Sequence, residues 1–198
     1  LPRSLQYWIS TASPWTWLGS ARFAELVRQT AVAVDVLPMD LSTVFSATGG
    51  TPFPQRSRAR QTYRQLELAR WSRRLGVPIT LEPRHYPVDR GPSSRLLIAA
   101  AAAGHDALSL SHYLLRAIWL DDQNIADWAT LAQLADQAGL DGTSLVRRAQ
   151  APEVQAQFLD NTARAIDAQV FGSPTFIVDG ERFWGQDRLD FLAERLAA

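Results

Sequence analysis

Val170-Phe171-Gly172-Ser173-Pro174-Thr175-Phe176-Ile177-Val178-Asp179-Gly180 is a turn ending in Ser-Pro-Thr that leads straight into a short apolar strand and an Asp-Gly hairpin signal. A proline in this place has two readings. If its peptide bond is cis, the preceding residue keeps its backbone N–H and C=O free to pair with an extended, peptide-like ligand. If it is an ordinary strand-entry proline, it does no more than open the strand. Both readings stand on this segment alone, and the rest of the chain has to decide.

At the other end, Gln6-Tyr7-Trp8-Ile9 reads as a buried strand, followed by Ser10-Thr11-Ala12-Ser13-Pro14-Trp15-Thr16-Trp17-Leu18-Gly19 and an amphipathic helix through about Val27. Ser13 is the natural N-cap and Pro14 the natural first helical residue, because proline lacks the N–H that would be orphaned there. Capping accounts for Ser13-Pro14 as structure. The same helix start offers exposed N–H groups and a dipole that favour an anion. The chain has Cys 0, so it cannot itself be a dithiol oxidoreductase, and any sulfur chemistry requires a bound thiol.

Between these ends, Ala31 to Leu37 is rich in β-branched residues and reads as a second strand that stops at Pro38. Thr51-Pro52-Phe53-Pro54 is a breaker, and from about Gln55 to Ala168 nearly every segment has helical spacing. That stretch includes a basic amphipathic run from Tyr63 to Trp71 and breaks at Gly76-Val77-Pro78, Gly104, Gly139 and Ala151-Pro152. Strands Thr175–Val178 and Arg182–Trp184 form a hairpin across Asp179-Gly180, and a last helix runs from about Asp187 to Leu196. The order is β-α-β, a helical insertion, then β-β-α. The 198 residues, 46% of them hydrophobic, are enough to bury a substantial core. The formal net charge of +0 gives no electrostatic case for nucleic acid or an anionic membrane as a partner. Leu96 to Ala103 is far shorter than the ~20 residues that span a bilayer, and Leu1-Pro2-Arg3 is not followed by a signal-peptide apolar region, so a cytoplasmic protein is expected. His85, His105 and His112 lack metal-ligand spacing with acidic partners, and no metal site is expected.

Ser13-Pro14-Trp15-Thr16-Trp17-Leu18, Ala47-Thr48-Gly49-Gly50-Thr51-Pro52, Val170 to Thr175 and Phe183-Trp184-Gly185-Gln186-Asp187-Arg188-Leu189 together resemble the kappa-class glutathione transferase and 2-hydroxychromene-2-carboxylate isomerase family, relatives of the DsbA oxidoreductases. The resemblance spans nearly the whole chain. It implies an α/β fold, a thioredoxin-like domain (1–46 plus 169–198) with an inserted all-helical domain (47–168). It implies glutathione as cofactor and, by analogy only, a homodimer. Ser13 is then the catalytic residue, its hydroxyl donating to the thiolate sulfur. Ser173 and Pro174 face the cysteinyl unit, while Trp184, Gly185, Gln186 and Asp187 hold the γ-glutamyl end. Asp187 also reads as a plain helix cap. Arg188 is given no ligand.

For a small conjugated aromatic substrate the resemblance points to Phe45, Gly49, Gly50, Thr51 and Tyr86, with core packing a competing role for Tyr86. Arg60 reads either as an anion partner or as part of a solvated helix face. Three positions depart from the resembled pattern. Ser10 stands where relatives commonly carry aspartate, Phe45 where a lysine is expected to meet the substrate carboxylate, and Gly50 where relatives have asparagine. The activity implied is isomerisation of 2-hydroxychromene-2-carboxylate, or of a related intermediate of aromatic degradation, by reversible thiolate addition. Kappa-like glutathione transfer to an electrophile is the alternative. A DsbA-like binding module without catalysis is a third reading, in which Ser13 does no more than cap.

Overall fold

Tyr7 and Trp8 define the two faces of the sheet, because side chains alternate along a strand. The computed structural model describes residues 4–198; Leu1, Pro2 and Arg3 lie outside the described residues. Strand β1 (Ser4–Ile9) pairs in parallel with β2 (Ala33–Pro38) and antiparallel with β3 (Thr175–Val178), and β3 pairs antiparallel with β4 (Glu181–Trp184). The sheet order is β2-β1-β3-β4, which makes β1 a central strand buried on both faces. Leu5, Tyr7 and Ile9 enter one core cluster, whereas Trp8 joins Leu37, Met39, Val44 and Val170 on the other face. On the first face Tyr7 stacks on Phe176 at 5.3 Å, and Phe23 leans on both rings. Burial pushes the Tyr7 phenol above its ordinary range.

Helix α1 (Pro14–Thr30) starts at Ser13 as expected but runs a turn beyond Val27, to a left-handed Ala31 at φ 51°. Its last turn carries Glu25 paired with Arg28 and Gln29 in solvent. That turn adds no apolar period, so the pattern stops before the hydrogen bonds do. A short α2 (Leu41–Thr48), N-capped by Asp40, follows β2. It was not anticipated, because eight residues give barely two turns of periodicity.

The insertion contains α3 (Arg58–Leu75), α4 (Gly91–Ala102), α5 (Ala107–Trp119), α6 (Trp128–Gln137), α7 (Gly142–Ala149) and α8 (Pro152–Asp167). The expected breaks hold: Gly76 ends α3 with φ 65°, and Pro152 opens α8. Residues 77–90 are not helical, contrary to the near-continuous helix expected there. Pro78, Pro83 and Pro87 each deny the helix a backbone N–H, and the Tyr86–Pro87 bond is cis. The segment 120–127 is likewise irregular. One buried cluster runs from Leu5 and Phe176 through Leu97 and Leu114 to Leu131 and Leu145, so the insertion and the sheet share a core. The chain closes with a 3-10 turn (Gln186–Arg188) and α9 (Leu189–Ala197). Among the described residues no helix is long and apolar enough to cross a membrane.

This is the α/β, thioredoxin-like arrangement with a helical insertion that the sequence led one to expect. It brings the start of α1, the turn before β3 and the turn after β4 to one end of the sheet.

Candidate functional site

Ser13 sits at that end with β-region dihedrals (φ −84°, ψ 120°), as an N-cap must. Its Oγ accepts the Thr16 N–H at 3.2 Å and donates to the Ser173 carbonyl at 3.0 Å. The Ser13 hydroxyl thus joins the start of α1 to the turn before β3. The Ser173–Pro174 bond is cis. The Ser173 hydroxyl accepts the Ser10 N–H at 2.8 Å and shares a proton with Thr16 Oγ1 at 2.9 Å, all of it buried. The Ser10 hydroxyl is buried without a partner among the described residues.

An accounting of donors shows what this corner lacks. Of the first-turn groups of α1, Pro14 has no N–H, Thr16 N–H goes to Ser13 Oγ, and Trp17 N–H goes to the Ser13 carbonyl. The Trp15 N–H is left over, with no acceptor among the described residues, and the Ser173 N–H is in the same position. Two unpaired N–H groups, a movable hydroxyl proton and a helix N-terminus favour an anion with extended backbone attached.

These groups open on a cleft of about 910 Å³. Ser13, Ser173, Trp184, Gly185, Gln186 and Asp187 line it, as do Phe45, Gly49, Gly50, Thr51 and Tyr86. Pro174 is buried beneath the wall, its carbonyl accepting the Gly185 N–H at 2.9 Å. Gly185 has a positive φ of 106° that side-chain-bearing residues rarely adopt, and a Cβ there would collide with Asp187 Oδ1. Asp187 caps neither the 3-10 turn nor α9; its carboxylate is exposed at the rim, 3.5 Å from Arg188 Nη1. Gln186 is 2% exposed, and its side-chain oxygen accepts from Arg22 Nη1 at 3.0 Å, which commits that amide to α1. Trp184 packs edge-on against Phe171 at 4.8 Å and lies over Gly172, where a Cβ would meet the indole Nε1 at 2.1 Å.

Phe45 and Gly50 are sterically coupled. A Cβ at Gly50 would fall 2.3 Å from Phe45 Cδ1 and 2.7 Å from Cγ, so the Phe45 ring occupies the space an asparagine at 50 would need. The Arg56 guanidinium lies 5.9 Å from the Phe45 ring, and its Nε donates to the Thr51 carbonyl at 2.8 Å.

Sequence reasoning missed Thr16, whose buried hydroxyl supports Ser173 from beneath the cleft and could have been found three positions after the cap. It also missed Arg64, a lining residue that no pattern could have found. The run from Tyr63 to Trp71 is amphipathic in pattern, yet Tyr63 and Leu66 are 58% and 55% exposed while Arg64 is 8% exposed. Arg60, in contrast, lies exposed on α3 at the cleft edge. Arg56, Arg60, Arg64, Arg90 and Arg188 line the cleft against the carboxylates of Glu67 and Asp187 alone. The site is therefore cationic in a chain whose net charge is zero. All 20 basic residues of the chain are arginine. No group of three or more His, Cys, Asp or Glu side chains could hold a metal ion among the described residues.

Comparison with known proteins agrees with this geometry. The chain is 26% identical to a 2-hydroxychromene-2-carboxylate isomerase of Sphingobium xenophagum, over 99% of each chain. It is 23% identical to glutathione S-transferase kappa 1 of Homo sapiens, over 99% of this chain and 92% of that one. Both names are those the sequence resemblance anticipated. A solved 2-hydroxychromene-2-carboxylate isomerase superposes with a TM-score of 0.83 at 22% identity, covering 98% of this chain and 94% of the other. The DSBA-like thioredoxin domain model matches residues 4–197, and with the strand order and the Ser13–Ser173 junction already described, the chain belongs to the DSBA-like thioredoxin family.

Proposed function

We propose that the protein is a glutathione-dependent isomerase acting on 2-hydroxychromene-2-carboxylate or a related conjugated intermediate of aromatic breakdown. The observation that carries the reading is the Ser13 hydroxyl, held by the Thr16 N–H and donating to the Ser173 carbonyl beside two N–H groups without acceptors. The residues present fit a bound thiol. The chain contains no cysteine of its own, and the corner presents donors and no carboxylate to an incoming sulfur.

When bound, glutathione supplies a thiolate that adds reversibly to the conjugated system, permits rotation about the former double bond and leaves unchanged. Ser13 turns its proton from a neutral carbonyl to that anion, an exchange favoured because charge-assisted hydrogen bonds are the stronger kind. Thr16 N–H fixes the Ser13 oxygen during the exchange, and the α1 N-terminus adds its partial positive charge. The Ser173 N–H and C=O take the peptide backbone of the cofactor. At the rim, Asp187 pairs with its γ-glutamyl ammonium group, Gly185 permits close approach, and Trp184 covers that end. Gln186 contributes through its main chain. Phe45, Gly49, Gly50, Thr51 and Tyr86 form the wall for a flat substrate. A homodimer in the cytoplasm completes the proposal.

The Phe45–Gly50 exchange favours a second reading, kappa-type transfer of glutathione to an electrophile, since it removes both the expected cation and the amide from that wall. Turnover decides between the two. Free glutathione stays constant while a chromene carboxylate is isomerised, and falls mole for mole in conjugation. Absence of turnover with either substrate type, with glutathione bound, would leave a binding module.

A further inference from the structure

Arg64 breaks the usual rule for buried charge. The residue is 8% exposed, and no ion pair or hydrogen bond of its guanidinium is found among the described residues. Buried cations are ordinarily paired. Three rings surround it instead: its Cζ lies 4.3 Å from the Phe53 ring centre, 5.4 Å from Tyr86 and 6.0 Å from Trp119. Tyr86 and Trp119 are 5.0 Å apart, Phe53 and Tyr86 6.0 Å. Ring faces attract the cation but accept few of its five N–H bonds. Behind the cage, the Trp119 Nε1–H is also buried without an acceptor. The guanidinium therefore meets ring faces rather than a carboxylate on the protein side, and Phe53, Arg64 and Tyr86 all line the cleft, to which it opens. Burial and the neighbouring Arg56 charge both press against the cationic form, so an anion arriving here relieves two unfavourable terms at once.

We infer that Arg64 and its aromatic walls form a subsite for the carboxylate of a small planar aromatic acid. A guanidinium fork matches a carboxylate in two parallel hydrogen bonds, and the Phe53 and Tyr86 rings offer a flat ligand faces to stack on. The inference builds on the proposed isomerase reading only in calling this acid the second substrate. It gives that substrate a cation on α3 in place of the one lost at Phe45. The carboxylate subsite itself requires no thiol at Ser13.

The test is calorimetric titration of the full chain with 2-naphthoate, without any thiol, beside the uncharged 2-naphthamide. Saturable binding of the acid, at least about tenfold tighter than the amide, is expected, as is a loss of roughly 10- to 100-fold in Arg64→Gln. Arg64→Lys, which keeps charge but not the fork, should fall between. Equal affinity for acid and amide in the unmodified protein would overturn the proposal without recourse to a variant. So would undiminished naphthoate binding by a folded Arg64→Gln protein, which would make the guanidinium a packing element. Glutathione is then added at saturation. Retained naphthoate affinity supports a separate subsite, whereas competition would assign Arg64 to a carboxylate of glutathione and refute the second-substrate role. Failure to bind glutathione with naphthoate binding intact would sink the thiol reading and leave this one standing.

Discussion

Replacing Ser13 by alanine and by glycine separates its two roles. Alanine forfeits the cap to Thr16 N–H, worth about 1 kcal/mol, whereas glycine at an N-cap costs only a few tenths. Both variants also strip the Ser173 carbonyl of its donor, a buried acceptor whose loss costs about 1–3 kcal/mol. For a domain of this size about 2–4 °C of melting temperature accompanies each kcal/mol. Ser13→Ala should therefore melt roughly 4–16 °C below the parent, with Ser13→Gly a few degrees above Ser13→Ala. The chemical effect has a different pattern. A hydrogen bond to a charged sulfur is worth about 1.5–3 kcal/mol, so its removal raises the pKa of bound glutathione by roughly 1–2 units. That rise is the same for both variants, because neither carries a hydroxyl. Ser13→Thr, which keeps cap and hydroxyl, should stay near the parent on both scales. The assay is the ultraviolet absorbance of thiolate in the protein–glutathione complex as pH is raised, set beside thermal melts. If ionisation follows the melting temperatures, with alanine shifted further than glycine, Ser13 acts through the helix alone and the thiolate assignment fails. If both variants ionise glutathione as the parent does, the hydroxyl plays no part.

Gly50→Asn alone should destabilise by about 1–3 kcal/mol through collision with the Phe45 ring, while Phe45→Lys with Gly50→Asn should recover most of that loss; additive urea midpoints in the double-mutant cycle would show that the two positions do not interact. Gly172→Ala places a Cβ where the Trp184 indole now lies. Because Trp184 is half exposed, the ring should swing outward at a stability cost of about 1 kcal/mol, seen as altered tryptophan emission and weaker glutathione binding. His112 holds Ser20 Oγ at 2.9 Å across the α1–α5 contact, and burial together with the Arg116 charge lowers its pKa below the ordinary 6.5. The folded protein then binds this proton more weakly than the unfolded chain does. Its stability should be full above about pH 6.5 and fall as pH drops below that value, relative to His112→Gln. Parallel urea midpoints for the two proteins between roughly pH 5 and 7.5 would refute this.

The local chemistry of this chain was legible in its sequence. Ser13-Pro14 had to start a helix, Ser173-Pro174-Thr175 had to enter a strand, and Asp179-Gly180 had to turn a hairpin, because each depends on the dihedrals and missing donors of a few adjacent residues. The order of elements along the chain followed from the same signals with a helical insertion between them, while their order in the sheet, β2-β1-β3-β4, did not. Tertiary structure decided the rest. Only the fold carries the Ser13 hydroxyl to the Ser173 carbonyl, 160 positions away, and turns the Gln186 amide toward Arg22 rather than the cleft. Only contact reveals that a side chain at Gly50 and the Phe45 ring would compete for the same volume. Arg64 is the clearest case: periodicity puts arginine outside and Tyr63 and Leu66 inside, and the fold reverses them. Phe53, Tyr86 and Trp119 arrive from three separate segments to surround it. A one-dimensional pattern records the polarity of each residue, but the cost of burying a charge is set by neighbours that only the folded chain brings together.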